Sequence, residues 1–256
     1  MFLFLNLYGK MLKEWSDYMG RFPNIAAAKA KTGAAKGKLY GMYAKEIYKA
    51  AKNGGVTPEG NPSLKRLIEK AKKEQVPADV IKRAIEKVSS GAGEDYQTLT
   101  YEVFGPAGST LMVECLTDNP NRSVSDVRAV INKCHVKLGA MGSVAYMYDN
   151  LCVVGFAGLD EDTVMNALIE NDIDFVDMEN NDGSILIYGN PNDIFKIKEA
   201  ITSVKNDIEF TVDEISQLPK ERITLAGEDL ETFEKLINLL DEVDDVSNIY
   251  HNVENV

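Results

Sequence analysis

Five lysines, Lys31, Lys38, Lys45, Lys49 and Lys52, are spaced so that a helix lines them up in a stripe roughly 60° wide at 100° per residue. Ammonium groups in a row along one face suit one kind of chemistry, the neutralisation of successive phosphates. With about five phosphates contacted on duplex DNA, affinity falls with a log–log salt slope near −4.5. Arg21, Lys29 and Lys36 add charge to the same early segment, and Arg66, Lys70 and Lys73 line the exposed side of the next predicted helix. Together these residues are the expected nucleic-acid-binding set. Tyr48 lies off both faces of the first helix, where a ring could stack on an unpaired base. Arg122 and Arg128 are secondary candidates, although a spacing of six does not put them on one helix face and local carboxylates compete for them.

The charge balance points the same way. Residues 19–90 carry 16 Lys+Arg against 6 Asp+Glu, whereas residues 91–256 carry 10 against 32, inside a chain of net charge −12. A basic module fused to an acidic body is a pointer to nucleic acid, the acidic part repelling a polyanion and orienting the basic part toward it. No apolar run reaches the roughly 20 residues of a membrane span. Three cysteines without CxxC spacing (Cys115, Cys134 and Cys152) fit a reducing compartment without a disulfide framework. With only His135 and His251 available, a histidine-based metal site is not expected, and neither is a cofactor. Cys134-His135 lacks a third ligand or an orienting partner. Gly105-Pro106-Ala107-Gly108 lacks GxxxxGK[ST] and reads as a hairpin turn, not a phosphate loop. The acidic clusters at 160–162, 172–174 and 241–245 read as helix starts and solvated faces. No nucleophile–base pair emerges, so an enzyme is not expected.

The elements that position the lysines follow from periodicity. A helix is predicted over 25–52, with Leu39, Tyr40, Tyr43, Ile47, Ala50 and Ala51 opposite the lysines and Asn53-Gly54-Gly55 as its stop. Gly33, Gly37 and Gly41 each cost that helix about 1 kcal/mol relative to Ala. A second helix begins at the cap Asn61-Pro62, and a third begins at Pro77. Residues 89–93 read as a linker. Strands follow at 99–104 and 110–116, a helix at 122–133 and a strand at 143–148. Residues 151–212 show the βαββαβ order of a ferredoxin-like unit. A helix at 230–240 and a strand at 246–253 then supply the pieces missing from the first sheet.

Several segments resemble one family. Tyr101-Glu102-Val103-Phe104-Gly105-Pro106-Ala107-Gly108 resembles its Y-E-x-[FY]-G-P-x-G hairpin, and Asp118-Asn119-Pro120-Asn121-Arg122 with Asp126-Val127-Arg128 resembles its T-x-N-x-N-R…D/E-V-R segment. Gly142 to Tyr148 resembles its G-S-V-A-Y-M-F strand, and Pro77 to Ile85 its V-P-x-x-x-I-x-R-A-I helix. From about residue 19 onward the chain is similar to the YebC/PmpR family of transcriptional regulators, whose mitochondrial relatives are translational activators of cytochrome c oxidase. The resemblance implies a three-domain α/β protein with a helical N-terminal domain, in the cytoplasm of a bacterium, acting on DNA or, in other members, on stalled ribosomes. Two departures stand out. Gly20-Arg21-Phe22-Pro23-Asn24-Ile25 lacks the Trp of the family's opening. Lys133-Cys134-His135-Val136 replaces K-x-G-G, so a turn that needs positive φ must be built without glycine.

The expected architecture is therefore α+β. A basic helical domain (19–92) precedes two ferredoxin-like α/β domains, a split one (93–149 and 219–256) and one inserted into it (150–218). Residues 1–18 are read as an extension upstream of a start at Met19. The expected function is a non-enzymatic regulator binding DNA. The alternatives are a translation factor binding ribosomal or transfer RNA and, as a lesser reading, a metabolite-binding α/β module.

Overall fold

The computed structural model describes residues 33–89 and 95–256. Arg21, Lys29 and Lys31, the segment 1–18 and the linker at 90–93 lie outside the described residues. The chain is mixed α/β with two four-stranded sheets and groups into two compact units, residues 33–144 with 225–249 and residues 145–224 with 250–256.

The first unit opens with three helices, α1 (Gly33–Gly54), α2 (Pro62–Lys73) and α3 (Ala78–Ser89). Tyr43, Ile47 and Ala51 of α1 are buried against Leu64 and Ala71 of α2 and Ile81 and Ala84 of α3. Burial of each large apolar side chain contributes about 1.5–3 kcal/mol. Asn61 fixes the α1–α2 corner. Its Oδ1 accepts from the Leu64 amide at 3.1 Å, and its amide nitrogen donates to the Ala50 and Gly55 carbonyls at 2.9 Å.

The hairpin of β1 (Gln97–Phe104) and β2 (Thr110–Thr117) pairs Phe104 with Thr110 across a turn in which Ala107 and Gly108 both have positive φ. A Cβ on Gly105 would strike the Ser109 hydroxyl, which donates to the Pro106 carbonyl at 2.7 Å. Helix α4 (Pro120–Lys133) is capped by Asn119, which accepts from the Arg122 amide at 3.1 Å. A two-residue strand, β3 (Lys137–Leu138), then pairs antiparallel with β1.

The predicted strand at 143–148 is corrected by the structure. Residues 141–147 form turns, because the buried Glu102 carboxylate accepts from the amides of Gly142 and Val144 and folds the segment back. Extended structure resumes only at β4 (Tyr148–Ala157). Helix α7 (Gly227–Asp241) and β8 (Val246–His251) complete the first sheet, ordered β3-β1-β2-β8. The hairpin strands β1 and β2 are thus the two central strands of this sheet, with β3 and β8 at its edges, whereas the ferredoxin-like order would place the hairpin at one edge.

In the second unit, β4, α5 (Glu161–Glu170), β5 (Phe175–Asn181), β6 (Ser184–Gly189), α6 (Ile194–Val204) and β7 (Phe210–Pro219) follow the βαββαβ order. The sheet is ordered β5-β6-β4-β7, with each described pair antiparallel. Val154, Phe156, Ile185 and Ile187 pack with α5 and α6, while Leu151, Val153, Leu186, Tyr188 and Leu218 form a separate buried cluster.

Candidate nucleic-acid interface

Helix α1 is packed on two sides. Its apolar side meets α2 and α3, and its lysine stripe meets acceptors of the first unit. The Lys45 ammonium lies 3.0 Å from an Asp245 carboxylate oxygen, 3.2 Å from the Asp244 carbonyl and 3.3 Å from the Leu116 carbonyl. Lys38 sits 3.5 Å from the Asp241 carboxylate, and burial lowers its pKa against the pull of that carboxylate. Lys49 donates to the Thr98 hydroxyl at 2.5 Å, and Lys52 pairs with Asp95. The stripe is therefore engaged by the protein's own acceptors at Lys38, Lys45 and Lys49, while the pair of Lys52 with the exposed Asp95 stays open to water. This corrects the sequence expectation. Four ammonium groups in a row are drawn to a nearby row of acceptors, and three of those are carboxylates of the acidic body.

Asp245 anchors this contact. It is 2% exposed, and besides Lys45 it accepts from Arg122 Nε at 3.1 Å, Arg122 Nη2 at 2.9 Å and the Thr117 hydroxyl at 2.9 Å. Burial alone would raise the Asp245 carboxyl, and the bonds from Lys45, Thr117 and Arg122 outweigh it and hold the group below the usual carboxylate range. Arg122 also reaches Asp118 at 2.8 Å, which makes it a structural cation. Arg128 is exposed on α4. Within the acidic cluster at 241–245, read from sequence as a solvated face, Asp241, Glu242 and Asp244 are exposed, and Asp245 alone is buried as an internal counter-ion.

Outward-facing charge is concentrated on α2. Its 12 residues carry Lys65, Arg66, Lys70, Lys72 and Lys73 against the single carboxylate Glu69. The six charged side chains span an arc of roughly 160° opposite Leu64, Leu67, Ile68 and Ala71. Lys65, Lys72 and Lys73 are exposed, and Arg66 and Lys70 are half-buried. The latter two act on Glu46 of α1, whose carboxyl is raised first by burial and lowered in part by Lys70 and Arg66. Lys36, at the start of α1, is exposed. Lys65 and Lys72 were missed by sequence reading, although their helical angles place them beside Glu69 on the same arc.

A cavity of about 340 Å³ opens between α1 and α3, lined by Gly41, Ala44, Lys45, Tyr48, Val80, Arg83, Ala84, Lys87 and Tyr96. Tyr48 is 3% exposed, so it forms a wall of this cavity and not the exposed stacking platform expected of it. Its ring meets Tyr96 edge-on at 5.7 Å, and the Lys87 ammonium lies 5.7 Å from its centre. Tyr96 was not legible as a site residue, because it stands in a short polar segment with no periodicity.

The remaining candidates carry no chemistry. All three cysteines are buried and held in the thiol form by that burial, Cys152 being pushed up to about 11. Cys134 ends α4 and His135 takes positive φ (55°) just after it, so the pair does not lie in a strand. Among the described residues, no group of three or more His, Cys, Asp and Glu side chains is placed to hold a metal ion. No helix there is long and apolar enough to cross a membrane.

Comparison with known proteins covers nearly the whole chain. Residues 20–91 match the model of the TACO1/YebC protein N-terminal domain, and residues 96–253 match that of the TACO1/YebC second and third domain. A protein from Saccharophagus degradans named "Probable transcriptional regulatory protein" is 46% identical over 237 residues, which is 92% of this chain and 100% of that one. Its namesake from Marinobacter nauticus is 47% identical, covering 92% and 98%. A crystal structure of a conserved hypothetical protein from Aquifex aeolicus superposes with a TM-score of 0.74 at 31% identity, covering 91% of this chain and 96% of that one.

Proposed function

We propose that this chain, which belongs to the TACO1/YebC family, is a nucleic-acid-binding regulator of transcription that works in the cytoplasm without a catalytic centre. The name carried by its relatives supports the transcriptional reading. The helices up to residue 92 are the recognition module. The split α/β domain (93–149 and 219–256) and the domain inserted into it (150–218) position that module or meet a partner.

The observation that carries this reading is the charge of α2. This helix carries five cations against one carboxylate of its own, with Lys65, Lys72 and Lys73 exposed, in a chain of net charge −12. Phosphate neutralisation needs that kind of surface. Arg66, Lys70 and Lys73 belong to the set expected from sequence, Lys65 and Lys72 join them, and Lys36 extends the surface. The stripe lysines of α1 hold the recognition module to its neighbour.

The test is fluorescence anisotropy on a 20-base-pair duplex across a salt series. Five phosphate contacts give a log–log slope near −4.5, and each cation removed reduces it by about 0.9. The triple variant Lys65→Glu/Lys72→Glu/Lys73→Glu is expected to lose binding while keeping its circular dichroism. Unchanged affinity in that variant overturns the assignment. Phosphate neutralisation serves DNA and RNA alike, so sequencing the nucleic acid crosslinked to the protein in cells separates a transcriptional role from action on ribosomal or transfer RNA.

A further inference from the structure

We propose that the cavity between α1 and α3 receives one unpaired nucleotide of a bound strand, the base entering the apolar slot and its phosphate meeting Arg83 and Lys87. The proposal rests on the reading of the helical module as the nucleic-acid-binding part.

The chemistry of the walls defines the ligand. Ala44, Val80 and Ala84 are apolar, Tyr48 and Tyr96 are aromatic, and Lys45, Arg83 and Lys87 are cationic, with no carboxylate among the lining residues. An apolar and aromatic slot rimmed by positive charge fits a planar, uncharged ring joined to an anion. Stacking against aromatic rings with backbone capture by cations is the usual means of holding an unpaired base. The volume of about 340 Å³ lies at the lower end of the range for small-ligand sites. Tyr96 is half-exposed, so its ring offers the surface that the buried Tyr48 does not.

The cations are not equivalent. Lys45 is committed to Asp245 and to two carbonyls, so it belongs to the wall. Arg83 pairs one turn back with Asp79, both side chains being about two-thirds exposed or more. A pair that open to water is weak, and its guanidinium exchanges readily for a phosphate, which it can grip with two parallel bonds. Lys87 lies against the Tyr48 ring on the same helix as Arg83, one turn further on.

Gly41 makes the test specific. It lies within α1 and lines the cavity, and a Cβ built on it meets nothing within 4 Å. Gly41→Leu therefore fills the slot while replacing a poor helix former with a good one. Binding is measured by anisotropy with a 12-nucleotide oligouridine, a 12-nucleotide oligothymidine and a 12-base-pair duplex. Gly41→Leu is expected to weaken single-strand binding on the order of tenfold, the worth of one stacked base, and to leave duplex binding unchanged. Arg83→Gln/Lys87→Gln, which removes the two α3 cations lining the cavity, is expected to weaken the same two single-stranded probes. The ratio between uridine and thymidine probes shows whether the slot takes RNA or DNA. Wild-type affinity of Gly41→Leu for both single strands overturns the proposal, as does equal loss on the duplex. Loss of binding in the α2 charge-reversal variant tests the broader reading separately, because it acts on all three probes.

Discussion

Removal of Asp245 tests whether the lysine stripe is structural. The carboxylate is 2% exposed and accepts bonds from Lys45, Arg122 and Thr117 at 2.9–3.1 Å. Breaking a fully buried ion pair costs about 3–5 kcal/mol. The value is lower here, because the Lys45 and Arg122 side chains are 23% and 46% exposed and each keeps another acceptor, Lys45 two carbonyls and Arg122 the Asp118 carboxylate. Asp245→Ala is accordingly expected to destabilise the first unit by about 2–3 kcal/mol. Urea unfolding followed by circular dichroism measures this, with the slope of the transition checked for a change in cooperativity. A double-mutant cycle with Lys45→Ala should return a coupling of about 1–2 kcal/mol, because Lys45 is the less solvated of the two cations. A loss below about 0.5 kcal/mol, the level of an ordinary surface change, refutes the reasoning. In that case the stripe lysines would be only loosely engaged, and the expectation that they face phosphate would return.

Two further predictions concern single residues. His135 holds positive φ (55°) at the end of α4, a conformation costing a residue with a side chain about 1–2 kcal/mol. His135→Gly is expected to raise stability by about 0.5–1 kcal/mol after the entropy of the unfolded glycine is counted, and an unchanged or lower melting temperature contradicts this. His251 is half-buried, and burial first, then the charge of Arg222, lowers its pKa below the usual value near 6.5, against a bond to the Val253 backbone. The folded state thus favours the neutral ring. Its contribution is fully present above the unfolded pKa and is lost as pH falls below it, since the unfolded chain then binds more protons. Urea midpoints should fall between pH 7.5 and 5.5, and His251→Gln should flatten that slope. The same slope in the variant assigns the effect to another group.

What was legible in the sequence is local. Asn61-Pro62 and Asn119-Pro120 announce helix starts because a short side chain must accept an amide of the first turn, and both caps are made. The hairpin turn at 105–108 is likewise a short-range signal. The failures are long-range. Residues 143–148 have the composition of a strand, yet a carboxylate some 40 positions earlier in the chain, Glu102, takes two of their amides and makes a turn. No periodicity within the segment could disclose that partner. Positive φ fell on His135 because the helix end demands it at that position, whichever residue is present.

The lysine stripe shows why charge patterns are harder to interpret than apolar ones. An apolar face has one favourable destination, so Tyr43, Ile47 and Ala51 could be assigned to a core from α1 alone. A row of ammonium groups has two destinations, a foreign polyanion or the chain's own carboxylates, and the same spacing serves both. The choice depends on geometry, here on β8 lying next to β2 and carrying Asp245 to within 3.0 Å of Lys45 across 200 positions of sequence. The acidic residues at 241–245 and the lysines of α1, read separately, each look like solvent-facing charge. Brought together, Asp245 pairs with Lys45 and Asp241 with Lys38, while Glu242 and Asp244 stay exposed. Helix α2 carries five cations against a single carboxylate of its own, and Lys65, Lys72 and Lys73 among them are exposed, so this is where positive charge stands at the surface for a partner.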